Sequence, residues 1–209
     1  MREIWSERNK RKLWRHIWIA LARAESRYGL VTPSQIAELE SHADDIDFEE
    51  ANRIEDSIHH DLMAELRVFA SQCLEAGGVL HLGATSMDIE DNADVLRIRD
   101  SLSLVKEDFT KLLLALAEKI EDYASLPAMA FTHLQPAEPT TIGYRYACYA
   151  QDLAEAYERL SCAIADIRGK GFKGAVGTSA SYAELIGLEN LDDFERVLSE
   201  DLGIEFFDV

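Results

Sequence analysis

Residues 87–125 read MDIEDNADVLRIRDSLSLVKEDFTKLLLALAEKIEDYAS, a run with no proline or glycine. Leu96, Leu102, Val105, Phe109, Leu112, Leu116 and Ile120 make a broad apolar stripe along it at helical spacing. Periodicity sustained over roughly 30 residues suits a bundle or coiled-coil helix better than a helix of a small globule.

Upstream of this run the helix signals are shorter and closely capped. After Ser6, the residues Leu13, Trp14, Ile17, Trp18 and Leu21 recur at spacings of three and four, and Gly29 supplies a stop. Thr32, Pro33 and Gln35 combine a cap, a proline suited to the first helical position and the third-position glutamine of a capping box. Asp47 with Glu50 repeats that signature and opens a longer helix, expected to run through His60 to Ala76 and to end at Gly77 and Gly78. Val79 to Ser86 is then a short connection into the long helix.

Downstream, Pro127, Pro136 and Pro139 bracket a segment read as a loop holding Thr132 and His133. A further helix is expected from about Thr140 to Arg168, before glycines at 169, 171, 174 and 177, and another from about Leu191 to Leu202. The apolar tail Ile204, Phe206, Phe207 and Val209 would pack under something further on, so the chain reads as cut short. Strand signals are nearly absent and the class is all-α. A boundary falls near residue 90, giving a small helical domain over 1–90 and the first part of a long-helix bundle over 91–209.

Hydrophobic residues make up 47 % of the chain, enough for one ample core or for a small domain and part of a second. Thirty-nine acidic residues against 21 basic ones give a formal charge of -18, which repels a duplex nucleic acid. A small anion is still admissible, because charges more than about 8 Å away are largely screened at physiological salt. Two basic stretches, Arg8 to Arg15 and Arg168 to Lys173, read as solvated helix faces and ends. Cys73, Cys148 and Cys162 are odd in number and form no C-x-x-C pair, which points to a reducing compartment, by default the cytoplasm, without structural disulfides or zinc. The apolar run Ile17 to Ala22 is far shorter than the roughly 20 residues of a membrane span, so no membrane partner is expected.

Four patches hold the polar residues that a binding site needs. His59-His60-Asp61 lies on the expected helix after Asp47, where adjacent side chains point about 100° apart, so that one histidine enters a site while the other faces away; the alternative is surface decoration. No H-E-x-x-H spacing supports a metal. His81 to Asp88 brings Thr85 and Ser86 to the start of the long helix, where the macrodipole favours an anion; the alternative is a simple cap. Asp88, Glu90, Asn92 and Asp94 imitate a calcium loop, but Ala93 stands where the turn demands glycine. His133, between proline-stiffened flanks, suits general acid or base chemistry, although a lone loop histidine is more often structural. Gly169 to Ser181 resembles a phosphate loop only superficially, since Ala175-Val176 follows Gly174 in place of Lys and Ser or Thr; a flexible connector is the better reading.

Taken in order, His60-Asp61, HLGATSMDIEDNAD at 81–94, THLQPAEPTTIG at 132–143 and GAVGTSAS at 174–181 resemble the landmarks of the fumarase and aspartase superfamily. With IWSERNKRKLW at 4–14 added, they are similar to its adenylosuccinate lyase branch more than to argininosuccinate lyases or carboxymuconate cycloisomerases. The resemblance implies an all-helical enzyme, a homotetramer with active sites shared between subunits, and β-elimination of fumarate from adenylosuccinate and from succinyl-aminoimidazole carboxamide ribotide. It implies no metal and no organic cofactor. By the same resemblance His133 is the general acid, and His59, His60, Asp61, Thr85 and Ser86 contact the substrate. The family's serine base lies on a later signature loop, and its phosphate-binding Arg-Tyr pair would precede Met1, so neither is expected here. Relatives carry Arg where this chain has His59, and Gly-Arg in place of Ala130-Phe131. Another lyase or cycloisomerase on the same scaffold, or a non-catalytic helical oligomerisation module, is the alternative.

Overall fold

The computed structural model describes residues 1–209. Its helices are α1 (Glu7–Ser26), α2 (Pro33–Ser41), α3 (Phe48–Ile58), α4 (Asp61–Gln72), α5 (Ser86–Asp122), α6 (Ile142–Ala165), α7 (Ala180–Ile186) and α8 (Leu191–Leu202), with one two-stranded hairpin, β1 (Pro127–Thr132) and β2 (Gln135–Thr141). The chain divides into two compact units, the first made of Met1–Ile98 with Ile167–Val209 and the second of Arg99–Asp166. The change from short to long helices near residue 90 thus lies within the first unit, and the C-terminal segment returns to it.

The first unit is built around α1. The Ser6 side chain accepts from the Asn9 amide to start the helix. Ile17 to Ala22 are buried without interruption, the signature of a helix enclosed on all sides. Around it pack Leu62 and Phe69 of α4, Ile89, Ala93 and Leu96 of the first turns of α5, Tyr182 of α7, and Phe194, Leu198 and Leu202 of α8. The two basic stretches are not solvated throughout. Arg11 and Arg15 are buried and meet Glu65 at 3.0 and 2.7 Å, and Lys173 is buried and meets Glu195 at 2.8 Å.

Three boundaries differ from the sequence reading. The helix expected from Asp47 to Ala76 is broken at His59 and His60: His59 takes a left-handed conformation (φ 55°) and ends α3, and extended His60 caps α4. Both flanks carry strong helix signals, but a left-handed residue reverses the chain and α4 then packs along α1. The proline-bracketed loop is an antiparallel hairpin, pairing Pro127 with Thr141 and Thr132 with Gln135 around an irregularity between Met129 and Phe131. Proline lacks the ladder donor, but a two-stranded sheet has two open edges and spares it. The apolar tail does not all await a later partner, because Ile204 is buried and Phe206 packs on Phe172, with ring centroids 5.9 Å apart, while Phe207 and Val209 are exposed.

In the second unit the latter part of α5 meets α6 through Phe109 and Tyr157, with centroids 5.8 Å apart. Gly143 is needed where α6 begins, since a Cβ there would stand 2.6 Å from the Ile120 carbonyl oxygen. The apolar stripe of α5 is only partly covered, with Val105 and Leu112 exposed. No helix is long and apolar enough to cross a membrane.

Candidate active site

In the first unit the helix break at His59–His60 faces the first turn of α5. The Met63 amide donates to His60 Nδ1 at 3.5 Å, which caps α4 and leaves the proton of the neutral ring on Nε2. Nε2 lies 3.2 Å from Ser86 Oγ. With that N–H donating into it, the serine hydroxyl keeps its own proton to offer a ligand. His59, which ends α3 in a left-handed conformation, is exposed. Asp61 is held locally: one oxygen accepts from the Leu62 amide at 2.8 Å and the other lies 3.5 Å from the Lys10 ammonium.

Two groups that sequence reasoning did not single out lie in the same cluster. His81 is half-buried, and its Nδ1 accepts from the Trp18 indole at 2.9 Å. An indole nitrogen only donates, so this bond fixes a neutral ring with its proton on Nε2. Burial lowers the His81 pKa, Asp88 opposes that shift, and nearby His60 adds to it. Half-buried Glu90 has its pKa raised first by burial and then by Asp61, against the pull of His60 and Lys10. The signal for His81 was its place at the head of the HLGATS run; Glu90 figured only in the rejected calcium-loop pattern.

Thr85 is tied through its backbone, its amide donating to Asp88 Oδ2 at 3.1 Å. Asp88 is fully buried and anchors the segment read as a flexible connector. Its carboxylate accepts from the Lys170 ammonium at 2.6 Å, the Lys173 amide at 3.3 Å, the Gly174 amide at 3.2 Å and the Tyr182 hydroxyl at 3.2 Å. Burial and then the Asp88 charge push the Tyr182 phenol upward, keeping it a donor. Asn92, one turn on, grips both backbone groups of Gly171 at 3.0 and 3.2 Å. The connector is therefore a docked loop. Gly169 serves close packing, since a Cβ there would stand 2.6 Å from the Asn92 side chain, whereas Gly174 and Gly177 have open space and take positive φ, 72° and 77°.

The second unit presents His133 at the hairpin tip. His133 and Leu134 both have positive φ, 48° and 64°, as the mirror-image two-residue turn requires. That turn ordinarily recruits Asn and Gly, and a left-handed residue other than glycine costs about 1–2 kcal/mol. Leu134 is 92 % exposed, so packing does not compensate the strain. The imidazole of His133 is exposed on this tip. Beside the hairpin, Phe131, Tyr144, Arg145, Cys148 and Tyr149 line an open groove of about 360 Å³.

The first unit therefore brings His60 and Ser86 into contact, with Asp61, Thr85 and His81 around them, and the second carries the exposed imidazole suited to proton transfer. No cluster of three or more histidine, cysteine or carboxylate side chains is set to hold a metal ion.

Residues 1–204 match a family model described as Lyase. The adenylosuccinate lyase of Schistosoma mansoni is 42 % identical over 183 residues, covering 86 % of this chain and 38 % of that protein. That of Saccharomyces cerevisiae is 34 % identical, covering 98 % of this chain and 44 % of the relative. The crystal structure of a fumarate lyase from Mesorhizobium sp. BNC1 superposes with a TM-score of 0.89 at 29 % identity, covering 100 % of this chain and 48 % of the other. A 3-carboxy-cis,cis-muconate lactonizing enzyme from Pseudomonas putida superposes with a TM-score of 0.88 at 28 % identity, covering 99 % and 46 %. The chain thus spans less than half the length of these curated relatives.

Proposed function

We propose, from the premise that this chain belongs to the lyase family, that it forms the N-terminal part of an adenylosuccinate lyase. The observation that carries the reading is the 42 % identity to the Schistosoma mansoni enzyme over 86 % of the chain. The placing of His60 against Ser86 supports it. Residues 1–90 then form the N-terminal helical domain and 91–209 the first part of the central bundle. The exposed stripe of α5 is covered by further helices of a cytoplasmic homotetramer.

The reaction is a β-elimination that needs no cofactor. A base removes the proton beside a carboxylate of the succinyl group, the carbon–nitrogen bond breaks, and its electron pair leaves with the nitrogen. Fumarate departs, and AMP remains; the parallel substrate is succinyl-aminoimidazole carboxamide ribotide. His133 supplies the proton to the departing nitrogen, a role that suits an exposed imidazole at a hairpin tip. Negative charge builds on the carboxylate next to the carbon that loses its proton, and hydroxyl and N–H donors of the Thr85, Ser86 and His60 kind stabilise it. His59 and Asp61 contact the substrate. The base is a serine from a later part of the enzyme.

Ultraviolet absorbance assays with adenylosuccinate test this. The complete enzyme turns over, the 209-residue chain alone turns over negligibly, and His133→Gln in the complete enzyme lowers the rate about 10²- to 10⁴-fold. A near-normal rate in that variant removes His133 from the role. The structural likeness to a lactonizing enzyme supports lactone chemistry as the second reading. Consumption of 3-carboxy-cis,cis-muconate and not of adenylosuccinate by the complete enzyme would select it.

A further inference from the structure

Two segments distant in sequence converge, with its own helix start, on the carboxylate of Asp88. Five donors reach it: the Thr85 amide of its own helix start, the Lys170 ammonium, the Lys173 and Gly174 amides of the docked loop, and the Tyr182 hydroxyl of α7. All lie in the first unit. Ser86 stands two residues before Asp88, at the first position of α5, where amides have no helical partner and the turn frays unless it is tied. Here the Asp88 backbone amide bonds the Thr85 carbonyl at 3.0 Å and the Asp88 side chain bonds the Thr85 amide, so both sides of the turn ahead of Ser86 are pinned. His60 is held separately, by its own bond to Met63. Of the two partners in the His60–Ser86 contact, the serine depends on Asp88 for its place.

We propose that Asp88 is a positioning residue for ligand binding: by clasping the Lys170–Gly174 loop and Tyr182 to the start of α5, it holds the Ser86 hydroxyl opposite His60 Nε2. The inference rests on the reading of His60 and Ser86 as substrate contacts. Asp88→Asn is the informative change. It keeps the shape, puts an amide donor where only donors approach, and strands the Lys170 ammonium.

The test uses the 209-residue chain with ¹⁵N-labelled histidine, reading the Nδ1 and Nε2 shifts at a pH where the rings are neutral. Wild type is expected to show the Nε2–H tautomer at His60. Ser86→Ala, which deletes the acceptor, leaves the tautomer to the Met63 amide and moves the His60 Nε2 shift, because its N–H loses the serine oxygen. Asp88→Asn shifts it in the same direction although Ser86 is intact, while His81, held by Trp18, keeps its pattern. A folded Asp88→Asn variant with the wild-type His60 pattern overturns the proposal and leaves Asp88 a purely structural tie. Should that variant not fold, Lys170→Met, which loosens the clasp at its partly exposed edge, shifts His60 the same way by less; an unmoved His60 again overturns it.

Fumarate titration of the complete enzyme, followed at the same His60 shift, separates the two levels. Asp88→Asn and Ser86→Ala both weaken its binding roughly five- to tenfold, the net worth of one hydrogen bond. Absence of any fumarate response at His60 in wild type removes the substrate-contact reading, while the Nε2 comparison still decides whether Asp88 holds Ser86.

Discussion

Glu25 lies near the C-terminal end of α1, is 1 % exposed, and neither carboxylate oxygen has a hydrogen-bond partner. Burial alone raises its pKa from 4.5 to about 8. An unfolded chain releases this proton near pH 4.5, and the folded chain keeps it until about pH 8. Folding therefore takes up a proton between those values, and stability falls as pH rises through the window, by about 1.4 kcal/mol per pH unit. Above about pH 8 both states are ionised and the penalty is complete. Urea unfolding of Glu25→Gln beside wild type should show the variant gaining steadily from pH 5 to pH 8, by on the order of 3 kcal/mol, and levelling off beyond. Parallel curves across that range would show that Glu25 is solvated or paired in solution. No sequence signal marks this carboxylate, because a glutamate near a helix end is ordinarily solvated and its burial depends on what packs there.

At the scale of elements, the break between α3 and α4 illustrates how local and distant forces divide. Asp47 caps α3, accepting from the Glu50 amide at 3.0 Å, as its spacing predicts. The stop at His59 has no glycine to announce it, and the left-handed residue is an exposed histidine. His59→Gly should raise the melting temperature by the equivalent of about 1 kcal/mol, since glycine enters this conformation without steric cost, whereas His59→Val should lower it. If α3 and α4 fused into one helix in solution, glycine there would be destabilising instead. The hairpin escaped sequence reading for a related reason. Three prolines and a His-Leu turn contradict ordinary strand and turn preferences, and pairing between the two flanks overrides them.

Across the first unit, α1 is locked to α4 by charge as well as by apolar packing. Glu65 is completely buried and accepts from both Arg11 and Arg15, and Arg15 also donates to the His42 carbonyl at 2.6 Å and to Gln72 at 2.9 Å. Glu65→Gln leaves buried Arg15 without its counter-charge and buried Arg11 with only Glu55, 3.8 Å away, and should cost about 3–5 kcal/mol in denaturant unfolding. A loss under 1 kcal/mol would mean that water reaches the pair. The sequence by itself determined the all-α class, the helix start after Ser6, the caps at Thr32 and Asp47, the long helix, and the order of family landmarks, because caps and periodicity are carried by residues within about four positions of one another. Only the tertiary structure decided that His60 meets Ser86, that Asp88 gathers Lys170 and Tyr182, that two basic stretches are partly buried, and that Glu25 loses its water. Those facts depend on which distant segments close over a charge, and neither the identity of a residue nor its neighbours encodes its desolvation.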